Sequence, residues 1–247
     1  MKIDEHLFKF LQWDTSFFGY RIGSLVPHRL TPLIVKQLIE WRRLNDIACV
    51  YIFADPNDPS TIRLSEEARF QLVDIQSVYE FDIVNNPLPV KEPLAELSIR
   101  PHKLSDIANL AAIARTSHGN TRFYNDSHFS KQQADSFYDK WIENSCGGWA
   151  DRVYVAEFKG EIVGYITCHI DNVKKNGKIG LLGVKSSIRS RGIGQCLLYN
   201  ALQWQKSKDM SLITITTQAA NIAAQRVYQR LGFITSSTSL VYHAWSM

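Results

Sequence analysis

The chain has 247 residues, with 28 Lys and Arg against 24 Asp and Glu, for a formal net charge of +4. At 45% hydrophobic and 21% charged, with 13 Gly and 8 Pro, it cannot be mainly disordered, fibrous or low-complexity. So small a positive excess excludes nucleic-acid binding by net charge alone, which needs clustered phosphate neutralisation, but it suits a small anionic ligand.

The first residues, MKIDEHLFKFLQWD, mix charge with apolar side chains and lack the continuous apolar run of an export signal, and nowhere do about 18 apolar residues follow one another. The expectation is a soluble cytoplasmic protein with no membrane partner. Cys49, Cys146, Cys168 and Cys196 are widely spaced and form no Cys-x-x-Cys, which argues against zinc and for reduced thiols.

In chain order, residues 30–45 carry apolar side chains at helical spacing, 48–53 read as a buried strand, and 70–84 as one or two more strands. The stretch 85–93 has three prolines and two asparagines and can continue neither a helix nor a central strand. It divides the chain into a smaller α/β domain, 1–90, and a larger one, 91–247. In the second, helices are expected at 104–114 and 131–144. An antiparallel hairpin follows at 154–158 and 162–169, then a turn at Asn176-Gly177 and a third strand at 178–184. A helix at 192–206, a strand at 212–217, a helix at 221–231 and a last strand at 240–245 complete the order.

Two segments carry chemistry. Arg189-Ser190-Arg191-Gly192-Ile193-Gly194 lies between a strand and an amphipathic helix. A helix start presents about four amides without intrahelical acceptors and a partial positive charge; the glycines would let a pyrophosphate approach them, with Arg189 and Arg191 alongside. A dinucleotide fingerprint fails because Leu197 takes the place of its third glycine, and a P-loop fails because Gly194 is followed by Gln195. The glycines could equally serve only a tight strand-to-helix turn. The second segment runs from Thr217 to Phe233. Asn221 is a good N-cap and Gly232 a good helix stop, and Tyr228 stands two turns past Asn221 on the same face, where a phenol could give a proton to a departing thiolate. A tyrosine buried in the core is the alternative.

Together these segments resemble the GCN5-related N-acetyltransferase (GNAT) family: Arg189 to Gly194 looks like its acetyl-coenzyme A loop, and Asn221, Ala224, Tyr228 and Gly232-Phe233 like its second motif. The resemblance implies an α/β (α+β) GNAT fold, a mixed and mostly antiparallel sheet flanked by helices, with a truncated GNAT-like N-terminal domain; residues 1–86 contain no Gly-x-Gly. It also implies acetyl-CoA as co-substrate, with no metal. Leu182, Gly183 and Val184 would pair with the pantetheine arm, Arg189, Ser190, Arg191, Gly192, Ile193 and Gly194 would bind pyrophosphate, Asn221 would hold the pantetheine or its surroundings, and Tyr228 would act as general acid in direct transfer. Cys168 and Cys196 are not expected to act as nucleophiles.

Residues 13–19, Arg122-Phe123, 137–144 and 179–182 are similar to a branch of the family that acetylates the 4-amino group of a dTDP-linked 4-amino-4,6-dideoxygalactose for surface polysaccharide synthesis. That implies a small-molecule nucleotide-sugar partner. Arg122, Phe123 and Tyr124 are the candidate acceptor contacts, a guanidinium for pyrophosphate and rings for a flat base; a solvated loop with one aromatic anchor is the alternative. Glu157, His169 and Asp171 offer no argument for a general base, and water is expected to relay the amine proton; His118, His128 and His243 show no metal-ligand spacing. Two other readings stay open, an acetyltransferase for protein or peptide α-amines and a non-catalytic coenzyme A sensor. A homodimer is the default expectation for assembly.

Overall fold

A computed structural model describes residues 3–88, 94–119 and 121–246. Its ten strands form one sheet in the order β1-β2-β3-β10-β4-β9-β8-β7-β6-β5, and seven of the nine neighbouring pairs are antiparallel. The strands are β1 (Phe8–Phe10), β2 (Ile22–Leu25), β3 (Cys49–Ala54), β4 (Gln71–Asp82), β5 (Leu97–Pro101), β6 (Arg152–Phe158), β7 (Glu161–Asp171), β8 (Asn176–Val184), β9 (Leu212–Gln218) and β10 (Ile234–Trp245). The helices are α1 (Gln12–Phe18), α2 (Pro32–Asn45), α3 (Pro59–Glu67), α4 (Ile107–Ser117), α5 (Arg122–Asn125), α6 (Lys131–Asn144), α7 (Ile193–Lys206) and α8 (Ile222–Arg230).

Local sequence explains most of these limits. α2 begins behind a Thr31 cap with Pro32 in its first turn, and α6 behind a reciprocal Ser130–Gln133 capping box. α8 begins at Asn221, whose Oδ1 accepts from the Ala224 amide, and Gly232 follows it at φ +88°. Residues 70–84 make one strand, β4, not two. The expected turn at Asn176-Gly177 sits one step earlier: Asp171 Oδ1 accepts from the amides of Val173 and Lys174, Lys175 takes φ 55°, and Asn176 already opens β8.

β10 is twice as long as the segment expected at 240–245, because it pairs with two strands. It lies between β3 and β4, so the last strand of the chain completes the sheet of the first segment, and β4 in turn pairs with β9. The proline-rich division point falls partly on residues 89–93, outside the described residues. Three apolar clusters cover the sheet. One packs α4, α5 and α6 around Phe123, Phe137, Tyr165 and Leu181; a second packs α7 and Tyr228 on Ile166, Ile179, Ile213 and Ile215; a third packs α2 on β3 and β10.

Two irregularities open the sheet at its centre. Parallel pairing of β8 with β9 runs only from Asn176↔Leu212 to Ile179↔Ile215, although both strands continue. On the other edge of β8, Ile166 faces Leu182 but Cys168 faces Ile179, so β8 carries one extra residue there. This bulge moves Leu181 to the cluster opposite that of Ile179. The amide of Leu181 is met by the buried Thr167 Oγ1 at 2.8 Å. Past the bulge the two strands part, and a cleft opens between them.

Candidate active site

The cleft has a volume of about 400 Å³. Its strand walls come from Lys178 to Leu182 of β8 and Ile215 to Gln218 of β9; Asn221, Ala224 and Tyr228 close one side and His118, Thr121, Arg122, Tyr138 and Trp141 the other. Tyr228 belongs to the α7 cluster, whereas Tyr138 and Phe123 belong to the α4–α6 cluster. Chemical groups from both faces of the sheet therefore meet in one space.

Tyr228 stands beside residues of β9 and α8. Asn221 Nδ2 donates to Thr217 Oγ1 at 3.2 Å, both residues line the cleft with Tyr228, and the tyrosine ring packs edge-on against Tyr79 at 5.5 Å. Asn221 thus does two tasks, since its Oδ1 caps the helix while its Nδ2 orders the threonine. Burial raises the pKa of Tyr228 above the ordinary phenol value, against a smaller opposing influence of the Thr217 hydroxyl. The phenol keeps its proton at neutral pH, which is the form a proton donor needs.

Arg122 enters at the start of α5. Its guanidinium lies over the rings of Phe123 at 4.5 Å and Tyr51 at 4.9 Å, and no carboxylate lies within ion-pair distance among the described residues. Its Nε is buried without a hydrogen-bond partner, as is the Oγ1 of the neighbouring Thr121. The charge is balanced at longer range by Asp14 and Asp74, whose carboxyls are both shifted upward, chiefly by burial and against the pull of Arg122.

The Arg189–Gly194 segment lies beyond the lining of the cleft. Ser190 (φ 63°) and Gly192 (φ 80°) make two left-handed turns that deliver the chain into α7, and Ile193 is buried beneath the helix. Arg189 staples this loop to the far side of the cleft, donating from Nε to Val184 O at 3.0 Å and from Nη2 to Thr116 O at 3.4 Å. Ser190 and Arg191 are exposed. Gly183 is close-packed: a Cβ there would stand 2.6 Å from Tyr165 Cε1.

The structure brings Leu182, Asn221, Tyr228, Arg122 and Phe123 to one cleft. The ring of Phe123 is 1% exposed and packs with Phe18, Phe129 and Phe137, so it supports the floor of the cleft from beneath. Tyr124 is not among the lining residues, since its hydroxyl donates to Asp135 Oδ1 at 2.7 Å on α6. Sequence reasoning missed Thr217, His118, Tyr138 and Trp141. Tyr138 and Trp141 stand one turn apart in α6, a spacing visible in the sequence; no sequence signal pointed to the others. Among the described residues, no group of three or more His, Cys, Asp or Glu is placed to hold a metal, and no helix is long and apolar enough to cross a membrane.

Comparison with known proteins agrees with this architecture. Over 232 residues the chain is 24% identical to dTDP-fucosamine acetyltransferase of Escherichia coli, covering 93% of this chain and 94% of that protein. It is 28% identical over 155 residues to spore coat polysaccharide biosynthesis protein SpsD of Bacillus subtilis, covering 62% of this chain and 52% of that one, so the match spans about half of SpsD. The crystal structure of a GCN5-related N-acetyltransferase from Sphaerobacter thermophilus superposes with a TM-score of 0.66 at 17% identity, over 96% of this chain and 75% of that one, which establishes a shared fold. The model of the acetyltransferase (GNAT) family matches residues 115–233, which include α6, the parted strands, the Arg189–Gly194 loop and α8. Residues 115–233 thus match the acetyltransferase (GNAT) family, within a chain that shares the fold of a GCN5-related N-acetyltransferase over nearly its whole length.

Proposed function

We propose that the protein transfers the acetyl group of acetyl-CoA to the amine of a nucleotide-linked amino-deoxy sugar, of the dTDP-4-amino-4,6-dideoxygalactose type, in surface polysaccharide synthesis. The observation that carries the reading is the cleft between β8 and β9, with a buried tyrosine on one side and, on the other, a guanidinium that has no ion-pair partner among the described residues. Similarity to a dTDP-fucosamine acetyltransferase over nearly the whole chain, and to a spore coat polysaccharide protein, supports the acceptor class.

The residues suit the co-substrate. Past Ile179 the edge of β8 has no strand partner in β9, leaving backbone groups of Leu182 to Val184 for a pantetheine arm to pair with, as a peptide adds to a sheet edge. Beyond it, the first-turn amides of α7 and the side chains of Arg189 and Arg191 form an anion site, entered through Gly192 at φ 80°, a conformation that favours glycine. Acetyl-CoA supplies the activated acyl group. Tyr228 gives the proton that the departing sulfur takes up, aligned by Thr217 and Asn221. On the acceptor side, Arg122 holds the sugar's pyrophosphate, with Tyr138 and Trp141 as apolar walls.

The test is acetyl transfer from acetyl-CoA to dTDP-4-amino-4,6-dideoxygalactose, followed by release of free thiol, beside a panel of UDP-amino sugars and peptides with free α-amines. Turnover with the dTDP sugar above that with the others is expected. Preference for the peptides would overturn the acceptor class.

A further inference from the structure

The attack of an amine on a thioester places negative charge on the carbonyl oxygen, and a donor fixed in advance at that point lowers the barrier. We propose that His118 is this donor, a catalytic residue that presents an uncharged N–H to the reacting carbonyl from the side of the cleft opposite Tyr228. The proposal rests on reading the cleft as an acetyl-transfer site.

His118 directly follows the last turn of α4 and lines the cleft. Two contacts fix its ring. It stacks on Tyr138 with centroids 4.7 Å apart and planes 18° from parallel, and its Nε2 lies 3.1 Å from the hydroxyl of Tyr165. Tyr165 is completely buried, and this imidazole is the hydrogen-bond partner of its hydroxyl among the described residues.

That burial decides the tautomer. A buried hydroxyl without an acceptor costs about 1–3 kcal/mol, so Tyr165 donates its proton to Nε2. A neutral imidazole that accepts at Nε2 carries its hydrogen at Nδ1, the nitrogen left for a ligand in the cleft. Neutrality is secured independently, since burial, with the charge of Arg189 added, pushes the pKa of His118 down to about 4. Gly183 lets Tyr165 stand directly beneath β8: a Cβ at 183 would lie 3.1 Å from the tyrosine hydroxyl. Tyr165 is therefore a positioning residue for His118.

In the step itself, the amine nitrogen bonds to the carbonyl carbon, the carbon–sulfur bond breaks, one proton leaves the nitrogen for solvent and Tyr228 supplies one to sulfur. His118 donates a hydrogen bond and exchanges no proton.

Three variants separate this role from a structural one. His118→Phe keeps the stack on Tyr138 but has no N–H, and should lower kcat by roughly 10²–10³ while acetyl-CoA still binds and raises Tm as in the wild type. His118→Asn, whose side-chain amide can reach the Nδ1 position, should recover part of the loss. Tyr165→Phe should also lower kcat. Nitrogen-15 NMR of labelled histidine in the ligand-free protein should find His118 protonated at Nδ1 and bare at Nε2. A kcat for His118→Phe within threefold of wild type, or a resonance protonated at Nε2, would overturn the proposal. Each rate is measured with dTDP-4-amino-4,6-dideoxygalactose and with hydrazine, an amine that needs no sugar site. A wild type active on hydrazine alone removes the acceptor assignment, while the hydrazine rates of the variants still decide His118.

Discussion

Nδ1 of His243, on the last strand, lies 2.6 Å from Oδ2 of Asp126, in the loop just after Arg122 and α5. The same carboxylate accepts from Trp245 Nε1 at 2.8 Å and, at its other oxygen, from the ring and amide of His128 at 2.8 and 3.0 Å. Four donors on one buried group tie β10, and with it the first segment of the chain, to the loop that carries Arg122 into the cleft.

Asp126→Ala should therefore cost about 3–5 kcal/mol, as removal of one side of a buried charged network does, and denaturant unfolding measures it. Asp126→Asn should cost less, because it keeps acceptor capacity. The pH dependence follows. Burial alone would raise the pKa of Asp126, but the bonds from His243, His128 and Trp245 outweigh it and hold it far below the usual carboxylate range. A depressed folded value contributes stability that is present above the unfolded pKa of about 3.9 and lost as pH falls below it. His243 is also shifted down, by burial against the pull of Asp126, so its contribution is lost as pH falls below about 6.5. The Tm should decline in two stages on acidification, and Asp126→Asn should flatten the lower one. A Tm level from pH 7 to 3 would contradict both assignments.

Tyr228→Phe removes one oxygen from a site otherwise filled by packing against Tyr79 and Phe233. It should lower kcat by about 10² or more while leaving acetyl-CoA affinity unchanged, the pattern of an interaction made mainly in the transition state. Thr217→Val, which removes the hydroxyl beside the phenol, should lower kcat in the same direction by a smaller factor. Unchanged turnover in Tyr228→Phe would take the phenol out of the chemistry.

Gly192 takes φ 80° as the N-cap of α7, directly before the amides of its first turn. Gly192→Val is strained there, since a β-branched residue disfavours positive φ, and the entry to the helix must shift to relieve it. Acetyl-CoA should no longer raise the Tm of this variant, whereas the ligand-free Tm falls by only a few degrees. Undiminished stabilisation by acetyl-CoA would mean that the pyrophosphate binds elsewhere.

Elements that declare themselves locally were legible in the sequence. The capped limits of α8, the glycine entry to α7 and the β6–β7 hairpin depend on residues within a few positions of one another. The place of β10 was not legible, because its registers with β3 and β4 join residues more than 150 positions apart and local periodicity holds no record of partners. The α3 helix is short, and the charged residues Arg63, Glu66 and Glu67 obscure its apolar side. At the site, the motif residues of α7 and α8 could be read, but the acceptor side could not. Arg122 and Tyr124 are two residues apart on one short helix, and only the fold sends one to the cleft and the other to Asp135. His118 gave no signal because its role depends on Tyr165, a strand residue 47 positions away.

The bulge in β8 rests on Thr167, and this makes the opening of the cleft testable apart from any ligand. Leu181 N–H is buried and its acceptor is Thr167 Oγ1, on a residue with no exposed surface. Thr167→Val keeps the shape and removes the acceptor, so the amide is left unmet at a cost of about 1–3 kcal/mol. The strand can relieve that cost by shifting one residue and restoring regular pairing with β7, which would narrow the gap between β8 and β9. Thr167→Val should then lose both stability and acetyl-CoA affinity, whereas Thr167→Ser, which retains the hydroxyl, should lose little of either. Equal stability in the two variants would show that the hydroxyl does not hold the bulge. Lower stability with undiminished acetyl-CoA affinity would show that the parted strands keep their separation without it.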